Sequence, residues 1–317
     1  MSHLIDTMAY TGQTPWHGLG AMLPPQQSVD RWIEAAGMDW RIEESDVLFN
    51  VDAPALHLRP FSDSKVLYRS DTLEPLSVVS QRYHVVQPED VLHFYRDLVS
   101  VGGFTLETAG SLKGGRKLWA LAKTGQSLRL KGGDHVNSYL LLATSCDGTL
   151  CTTAQFTSVR VVCNNTLQMA VNQSSGAIKV PHSTQFDPAA VKQALGLGLS
   201  RWDEFKRQLK ALSARPVDSQ ESQRFFSMVL DQPLDADNNI IMTTTLQRLQ
   251  ALYQGQGMGA DLASSQNTAW GLVNAVTEFV DHHRRARSQD NRLDSAWFGL
   301  GAQMKTRAMQ HALALLN

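Results

Sequence analysis

Apolar and polar positions repeat in three different patterns along the chain, and the changes between them mark three segments. Residues 1–70 contain few periodic runs and three tryptophans. Residues 71–184 mostly alternate apolar and polar positions, as strands do, whereas residues 185–317 repeat apolar positions at helical spacing. We therefore predict an irregular, tryptophan-rich N-terminal arm, an α+β core with a basic hairpin, and a helical C-terminal domain with these boundaries.

The central segment shows the order strand, helix, meander, helix. Gln87-Pro88-Glu89 begins the first helix, because proline at the first helical position sacrifices no hydrogen bond, and Gly102-Gly103 ends it. After Phe156 the apolar spacing becomes helical again. We predict a central antiparallel β-meander backed by helices over 88–101 and 158–170. Its strands cover 104–108, 118–123, 136–144 and 149–156.

The composition indicates a globular protein and leaves the predicted elements unchanged. Of 317 residues, 43% are hydrophobic and 19% are charged, which is ordinary for a globular protein with a large core. The 29 Lys and Arg residues nearly balance the 30 Asp and Glu residues, which argues against a broadly basic surface. A local basic stripe remains sufficient for binding nucleic acid.

The cysteines and the N-terminal sequence indicate a cytoplasmic setting. Cys146, Cys151 and Cys163 are odd in number and form no CxxC, so we expect neither a disulfide framework nor a zinc site. No basic stretch followed by an apolar run stands near Met1, and no run of about 18 apolar residues occurs. We therefore expect no signal peptide and no membrane span.

A local excess of positive charge marks the predicted hairpin. Residues 111–133 contain six basic side chains and no acidic one, and Lys113-Gly114-Gly115-Arg116 has the glycines of a tight turn. A basic hairpin tip can hold a phosphate backbone, and nearby Trp119 could stack a base. The alternative is an edge strand that lysines protect against aggregation. The six cations are Lys113, Arg116, Lys117, Lys123, Arg129 and Lys131.

Two further segments supply candidate contacts to nucleic acid. Arg160 and Asn164 would share one face of the predicted helix after Phe156, where they could contact phosphates or bases, or else fix the packing of helix on sheet. In SQRYHVV, Arg82 lies on the opposite side of the strand from Tyr83, which we assign to the core. The predicted nucleic-acid-binding residues are Lys113, Arg116, Lys117, Lys123, Arg160, Asn164 and Arg82.

No motif for catalysis or for cofactor binding is present. The sequence lacks a Walker loop, HExxH and the Rossmann glycine pattern. Cys163 with a distant histidine could form a nucleophile–base pair, but it lies on the predicted apolar face, where a cysteine behaves as a small hydrophobe. The basic run 282–285, with Arg287 and Arg292, suits a helix C-terminus and could also contact nucleic acid. We predict no catalytic residue, no metal and no cofactor.

Six segments together carry a resemblance that extends over nearly the whole chain. They are TPWHGLG (14–20), SQRYHVVQPEDVL (80–92), AGSLKGGRKLWALAK (109–123), VRVVCNNTL (159–167), TAWGLVNAVTEFVDH (268–282) and RLDSAWFG (292–299). With these segments the chain resembles the phage- and plasmid-associated proteins that carry domain of unknown function 932. The resemblance implies a role in replication, recombination or defence, and it carries over no catalytic residue.

The order of elements and the basic hairpin are also similar, in topology and charge only, to the core of ring-forming single-strand annealing recombinases. The leading hypothesis is therefore a homo-oligomer, able to close into a ring, that binds single-stranded DNA and anneals complementary strands without nucleotide hydrolysis. The tryptophan-rich arm is predicted to pack on a neighbouring subunit. The alternative is a protein that binds and blocks a host factor. A metal nuclease is disfavoured, because Glu107, Asp134 and Asp147 are scattered along the predicted sheet.

Overall fold

The computed structural model describes residues 5–12, 20–52, 54–100, 103–160, 165–168, 177–196, 199–233, 235, 237 and 239–317. The chain forms two compact units, and each is built from three stretches of sequence. The first unit comprises Met1–Thr124, Leu140–Gln155 and Ala177–Leu195. The second comprises Gly125–Tyr139, Phe156–Gly176 and Gly196–Asn317.

The strands of the described residues belong to two sheets. They are β1 (Ile5–Thr11), β2 (Ala21–Leu23), β3 (Ile42–Asn50), β4 (Leu58–Arg69), β5 (Pro75–Ser80), β6 (Thr105–Leu112), β7 (Lys117–Arg129), β8 (His135–Ser145), β9 (Thr152–Arg160), β10 (Asn165–Gln168) and β11 (Ile178–Val180). The larger sheet has the order β10-β9-β8-β7-β6-β1-β2, with β11 paired to β9, and the smaller has the order β3-β4-β5. The β6–β7 hairpin is antiparallel, and its last pair, Leu112 with Lys117, places the turn at residues 113–116.

The helices lie mostly in the C-terminal half of the chain. They are α1 (Val29–Ala35), α2 (Pro88–His93), α3 (Arg96–Ser100), α4 (Pro188–Gly196), α5 (Leu199–Ala214), α6 (Ser219–Val229), α7 (Thr244–Ala251), α8 (Ala269–Glu278), α9 (Gln289–Phe298) and α10 (Leu300–Ala314). Local capping explains where several of them begin. Asp218, for example, accepts a hydrogen bond from the Glu221 backbone N–H and so satisfies a donor that the first turn of α6 leaves free.

In the first unit, the chain between α2 and α3 packs on the large sheet. Tyr95 is fully buried, and its hydroxyl lies 2.9 Å from the Ala120 carbonyl oxygen of β7 and 3.0 Å from the Leu140 carbonyl oxygen of β8. Burial raises the pKa of this hydroxyl well above its ordinary value, so it stays protonated and remains a donor. One side chain thus joins the helical segment to two strands.

The second unit is organised around α8. Every residue of this helix is buried, including the polar Asn274, Thr277 and Glu278. The polar members have partners: Glu278, for instance, accepts a hydrogen bond of 2.8 Å from the Met258 backbone N–H. Helices α5 and α10 pack against α8, so the predicted helical C-terminal region has a central helix with a core on all sides.

The α+β class and the helical C-terminal region are confirmed, but the helix predicted over 158–170 is wrong. Residues up to Arg160 extend β9, and Asn165–Gln168 form β10, which pairs with β9 in antiparallel register. The apolar positions in this stretch fit helical spacing, yet Val159 and Thr166 are β-branched, which favours strands. Residues 161–164 and 169–170 of the predicted helix lie outside the described residues.

The N-terminal arm is also structured rather than irregular over its described residues. It contains β1, β2, α1, β3 and β4. Trp32 and Trp40 are buried within their own chain, so they do not supply the exposed aromatic surface that the predicted subunit contact called for. Trp16 lies outside the described residues. None of the helices in the described part of the chain combines the length and the apolar character that crossing a bilayer requires.

Candidate nucleic-acid interface

The β6–β7 turn of the first unit carries the first predicted cations. Lys113, Gly114 and Gly115 all adopt left-handed backbone conformations, with φ of 56°, 71° and 91°. A Cβ on Gly115 would come within 2.8 Å of the Trp40 ring, so glycine is required there for space as well as for conformation. The turn therefore packs tightly on a buried tryptophan, and it leaves Arg116 exposed and Lys113 half-buried.

Hydrogen bonds on both sides hold Arg116 in place. Its Nε donates to the Leu76 carbonyl oxygen of β5 at 2.7 Å, and its own carbonyl oxygen accepts from the Cys146 backbone N–H at 2.9 Å. The guanidinium has five N–H donors, and the bond to Leu76 uses one of them. Arg116 forms no salt bridge with an acid among the described residues, so the remaining donors are available to an anion.

Arg82 lies in a turn that follows β5 rather than in a strand, and its neighbour Tyr83 contacts the chain next to Arg116. The Tyr83 hydroxyl donates to the Ser145 carbonyl oxygen at 2.6 Å, next to the Cys146 amide that bonds Arg116. Arg82 is exposed and has no hydrogen-bond or salt-bridge partner among the described residues. We call Arg82, Lys113 and Arg116 the basic turn surface.

An aromatic pair lies beside this surface. The rings of Tyr83 and His182 stack with their centroids 4.4 Å apart and their planes 16° apart. The two nitrogens of His182 lie 3.3 Å from the His84 carbonyl oxygen and 3.0 Å from the Leu150 carbonyl oxygen, which fixes the ring. His182 was not among the predicted residues. It follows Tyr83 by 99 positions, so no local pattern in the sequence signals the pair.

Two further titratable groups of this region, Cys146 and Asp147, have pKa values shifted in opposite directions. Burial, with the charge of Asp147, raises the pKa of Cys146 to about 12, so this thiol is a poor nucleophile. Burial also raises the pKa of Asp147, but hydrogen bonds from Thr149 and Ser145 and the charge of Lys117 lower it by more, and the net shift is downward. Lys117 itself is buried, at 5% exposure, and does not belong to the surface.

The other predicted contacts do not join the basic turn surface. Lys123 pairs with Thr105 at the far end of the hairpin, six residues or about 20 Å along β7 from Lys117, and forms a salt bridge of 3.3 Å with Glu107. Asn164 lies outside the described residues. Arg160 ends β9 instead of beginning a helix, and it is buried in the second unit.

Arg160 belongs to a buried polar network. Its Nε donates to Asp134 Oδ1 at 2.8 Å, and its Nη2 donates to the Gly259 carbonyl oxygen and to Ser265 Oγ. Asp134 Oδ2 accepts from the Ser264 hydroxyl at 2.7 Å and from Trp270 Nε1 at 3.1 Å. With both carboxylate oxygens engaged, the network ties four segments of the second unit together and leaves no accessible charge for a ligand.

The described residues offer no cluster of metal ligands. No group of three or more His, Cys, Asp or Glu side chains among them could hold a metal ion. The carboxylates considered for a nuclease are each engaged separately: Glu107 with Lys123, Asp134 with Arg160 and Asp147 with Thr149. Cys163 lies outside the described residues.

Comparison with known proteins places the chain in a family without assigning an activity. No curated protein and no solved structure matches it. A family model described as "Domain of unknown function (DUF932)" matches residues 75–297, which include the basic turn surface, the Tyr83–His182 pair and the Asp134–Arg160 network. Because the match spans well over half of the sequence, the chain belongs to the DUF932 family.

Proposed function

We propose that this protein binds single-stranded DNA on the basic turn surface and anneals complementary strands without nucleotide hydrolysis. The observation that carries the proposal is the exposure of Arg82 and Arg116 together with their lack of an acidic partner among the described residues. Both are exposed, neither is paired with an acid among the described residues, and hydrogen bonds place their segments side by side. Cations in this state can replace the counterions of a phosphate backbone.

The chemistry of annealing fits a site of this kind. A protein that pairs strands must position the backbone and leave the base edges free, so it needs phosphate contacts and no base-specific hydrogen bonds. In the Tyr83–His182 stack His182 is buried and Tyr83 is half-buried, so Tyr83 offers an aromatic edge for a base without enclosing it. Of the residues first assigned to the site, Arg82, Lys113 and Arg116 remain in this proposal, whereas the buried Lys117 and Arg160 and the salt-bridged Lys123 do not.

A homo-oligomer, which could close into a ring, would extend the surface into a continuous groove. The β3–β4 hairpin of the first unit is the proposed contact, since a cluster of exposed apolar side chains usually marks an interface. Its exposed apolar residues are Leu48, Phe49, Val51, Leu56, Leu58 and Phe61. Light scattering of the protein at micromolar concentration, with and without DNA, measures this assembly.

The same hairpin favours the second candidate function, a protein that binds and blocks a host factor. In that case the apolar residues would contact the host protein, and the basic turn surface would have no ligand. Both candidates accord with the proposed phage or plasmid origin and with action in the cytoplasm. They differ in one measurable property, which is salt-dependent affinity for an oligonucleotide.

The deciding experiment measures binding of a fluorescent single-stranded oligonucleotide at two salt concentrations. We expect Arg82→Gln/Arg116→Gln to weaken binding and to reduce the salt slope by about 1.4, or about 0.7 for each lost phosphate contact. Arg207→Gln/Lys210→Gln removes two cations from exposed positions on α5 and serves as the matched control. A folded Arg82→Gln/Arg116→Gln variant with unchanged affinity and slope would refute the basic turn surface and favour the host-factor function. An RNA of the same sequence, run in parallel, tests the choice of DNA.

A further inference from the structure

A second concentration of unpaired positive charge lies in the second unit, away from the hairpin sequence. A cavity of about 290 Å³ opens between the end of the α8 segment and the beginning of α9. Four of its lining side chains are arginines, and none of the lining residues is acidic. The polar residues of the lining are Arg284, Arg285, Arg287, Arg292, Asn291 and Ser295.

Two of the four arginines are fixed by hydrogen bonds that leave their charge uncompensated. Arg284 Nη1 donates to Ser295 Oγ at 3.1 Å, and Arg292 Nη1 donates to the His282 carbonyl oxygen at 2.6 Å. The Nε of Arg292 is buried and has no acceptor among the described residues, which is unfavourable for a charged donor. Arg285 and Arg287 are exposed. None of the four forms a salt bridge with an acid whose side chain the structure describes.

The favourable interaction of positive charge with a helix C-terminus explains only some of the four arginines. The basic run follows a π-helical turn, Phe279–His283, that continues α8, where positive charge is favourable. However, Arg292 lies in the first turn of α9, the end of a helix at which positive charge is unfavourable. Arginines from the end of the α8 segment and from the first turn of α9 therefore line one cavity. An anion bound between them would reduce their mutual repulsion.

We propose that this cavity binds a phosphate monoester, either at the 5′ end of a nucleic acid strand or on a free nucleotide. Guanidinium groups match the geometry of phosphate oxygens and can bond them in pairs. A monoester carries close to two negative charges at pH 7, whereas each backbone diester carries one, so four arginines favour the monoester. At about 30 Å³ per water molecule, the cavity holds about ten waters, which is ample for a phosphate with part of a sugar. This site is independent of the function proposed above.

Calorimetric titration with a nucleoside monophosphate, and anisotropy with oligonucleotides that carry either a 5′-phosphate or a 5′-hydroxyl, tests the site on the full chain. We expect saturable binding that Arg285→Gln/Arg287→Gln weakens at least about tenfold, because two of the four charges are lost. Both residues are exposed, so the fold should be retained. Arg207→Gln/Lys210→Gln again removes two exposed cations of the same unit and should leave the affinity unchanged.

The ligand series identifies the source of the phosphate. Preference for the 5′-phosphorylated oligonucleotide, lost in Arg285→Gln/Arg287→Gln, identifies a strand end, whereas binding of the monophosphate without such a preference identifies a free nucleotide. Either affinity should fall as pH drops through about 6, where a monoester gains a proton. Absence of saturable binding to every phosphate ligand, or equal loss in both double variants, would overturn the proposal. Arg82→Gln/Arg116→Gln should retain monophosphate binding, which separates this site from the basic turn surface.

Discussion

Arg116 lies in the β6–β7 turn of the large sheet, and Arg160 ends β9 of the same sheet. From the sequence we predicted both residues in one binding site, yet their environments are opposite. Arg160 lies in the second unit with 2% of its side chain exposed, against the fully buried carboxylate of Asp134. Arg116 lies in a turn of the first unit, exposed and without an acidic partner among the described residues. The same residue type therefore serves the fold in one place and is available to a ligand in the other.

The difference follows from the cost of removing a charge from water. A buried guanidinium is tolerated only where acceptors surround it, and Arg160 has a carboxylate, two backbone carbonyl oxygens and a hydroxyl. An exposed guanidinium remains hydrated, so it needs no partner and contributes little to stability. Deleting a partner should therefore destabilise the second unit strongly, whereas deleting Arg116 should mainly affect binding.

The largest effect is expected when Asp134 is removed. Asp134→Ala leaves Arg160 buried without its carboxylate and leaves the donors of Ser264 and Trp270 without their acceptor. Loss of one partner of a buried pair costs about 3–5 kcal/mol of unfolding free energy. Urea denaturation of the variant and the wild type measures the difference.

A second pair of variants keeps that prediction testable even if Asp134→Ala does not fold. Ser264→Ala removes a single donor to Asp134 and should cost about 1–3 kcal/mol. Asp134→Ala/Arg160→Met removes both charges and should recover part of the loss, since a buried pair replaced by apolar groups is often close to neutral. A double variant that itself lost about 3–5 kcal/mol, the loss expected of Asp134→Ala, would show that the two side chains are not coupled.

The exposed member of the comparison should respond far less. Arg116→Gln removes the Nε hydrogen bond to the Leu76 carbonyl oxygen and should lower the unfolding free energy by about 0.5–1.5 kcal/mol. The same urea titration measures it. A loss as large as that of Asp134→Ala would mean that Arg116 is structural, which would weaken its assignment to a ligand site.

The sequence predicted the fold class because its strongest signals are local. The glycine turn at 113–116 and the proline at the start of α2 are set by backbone conformation, and both lie where they were predicted. The helix over 158–170 failed because its apolar positions fit two periods and because pairing with β10 depends on tertiary context. Periodicity alone does not distinguish a helix from a strand in this stretch.

The site could be predicted only in part, for a related reason. Lys117 and Trp119 are two residues apart on β7 and share a face, but Leu118 on the other face is buried as well, so alternation alone does not predict the burial of Lys117. The Asp134–Arg160 pair and the Tyr83–His182 stack join residues far apart in the sequence. Charge and spacing within one segment carry no information about such partners.

The smallest effect should appear in the pH dependence of stability near Asp147. Burial raises the pKa of this carboxyl, but the hydrogen bonds from Thr149 and Ser145 and the charge of Lys117 outweigh it, so the folded-state pKa lies below its ordinary value. A lowered pKa means that the ionised carboxylate stabilises the fold above about pH 4 and that this contribution is lost as pH falls through the folded-state value. Asp147 is half-exposed, so after solvent screening the contribution should be under about 1 kcal/mol.

We expect Asp147→Asn to lower the unfolding free energy at pH 7 and to match the wild type near pH 2, as followed by urea denaturation across that range. Asp46→Asn, which removes an exposed carboxylate from β3, should stay within about 0.5 kcal/mol of the wild type throughout. A difference between Asp147→Asn and the wild type that is equally large at both pH values would show that the amide disturbs the loop by its shape, and that the charge of Asp147 does not stabilise the turn beside Arg116.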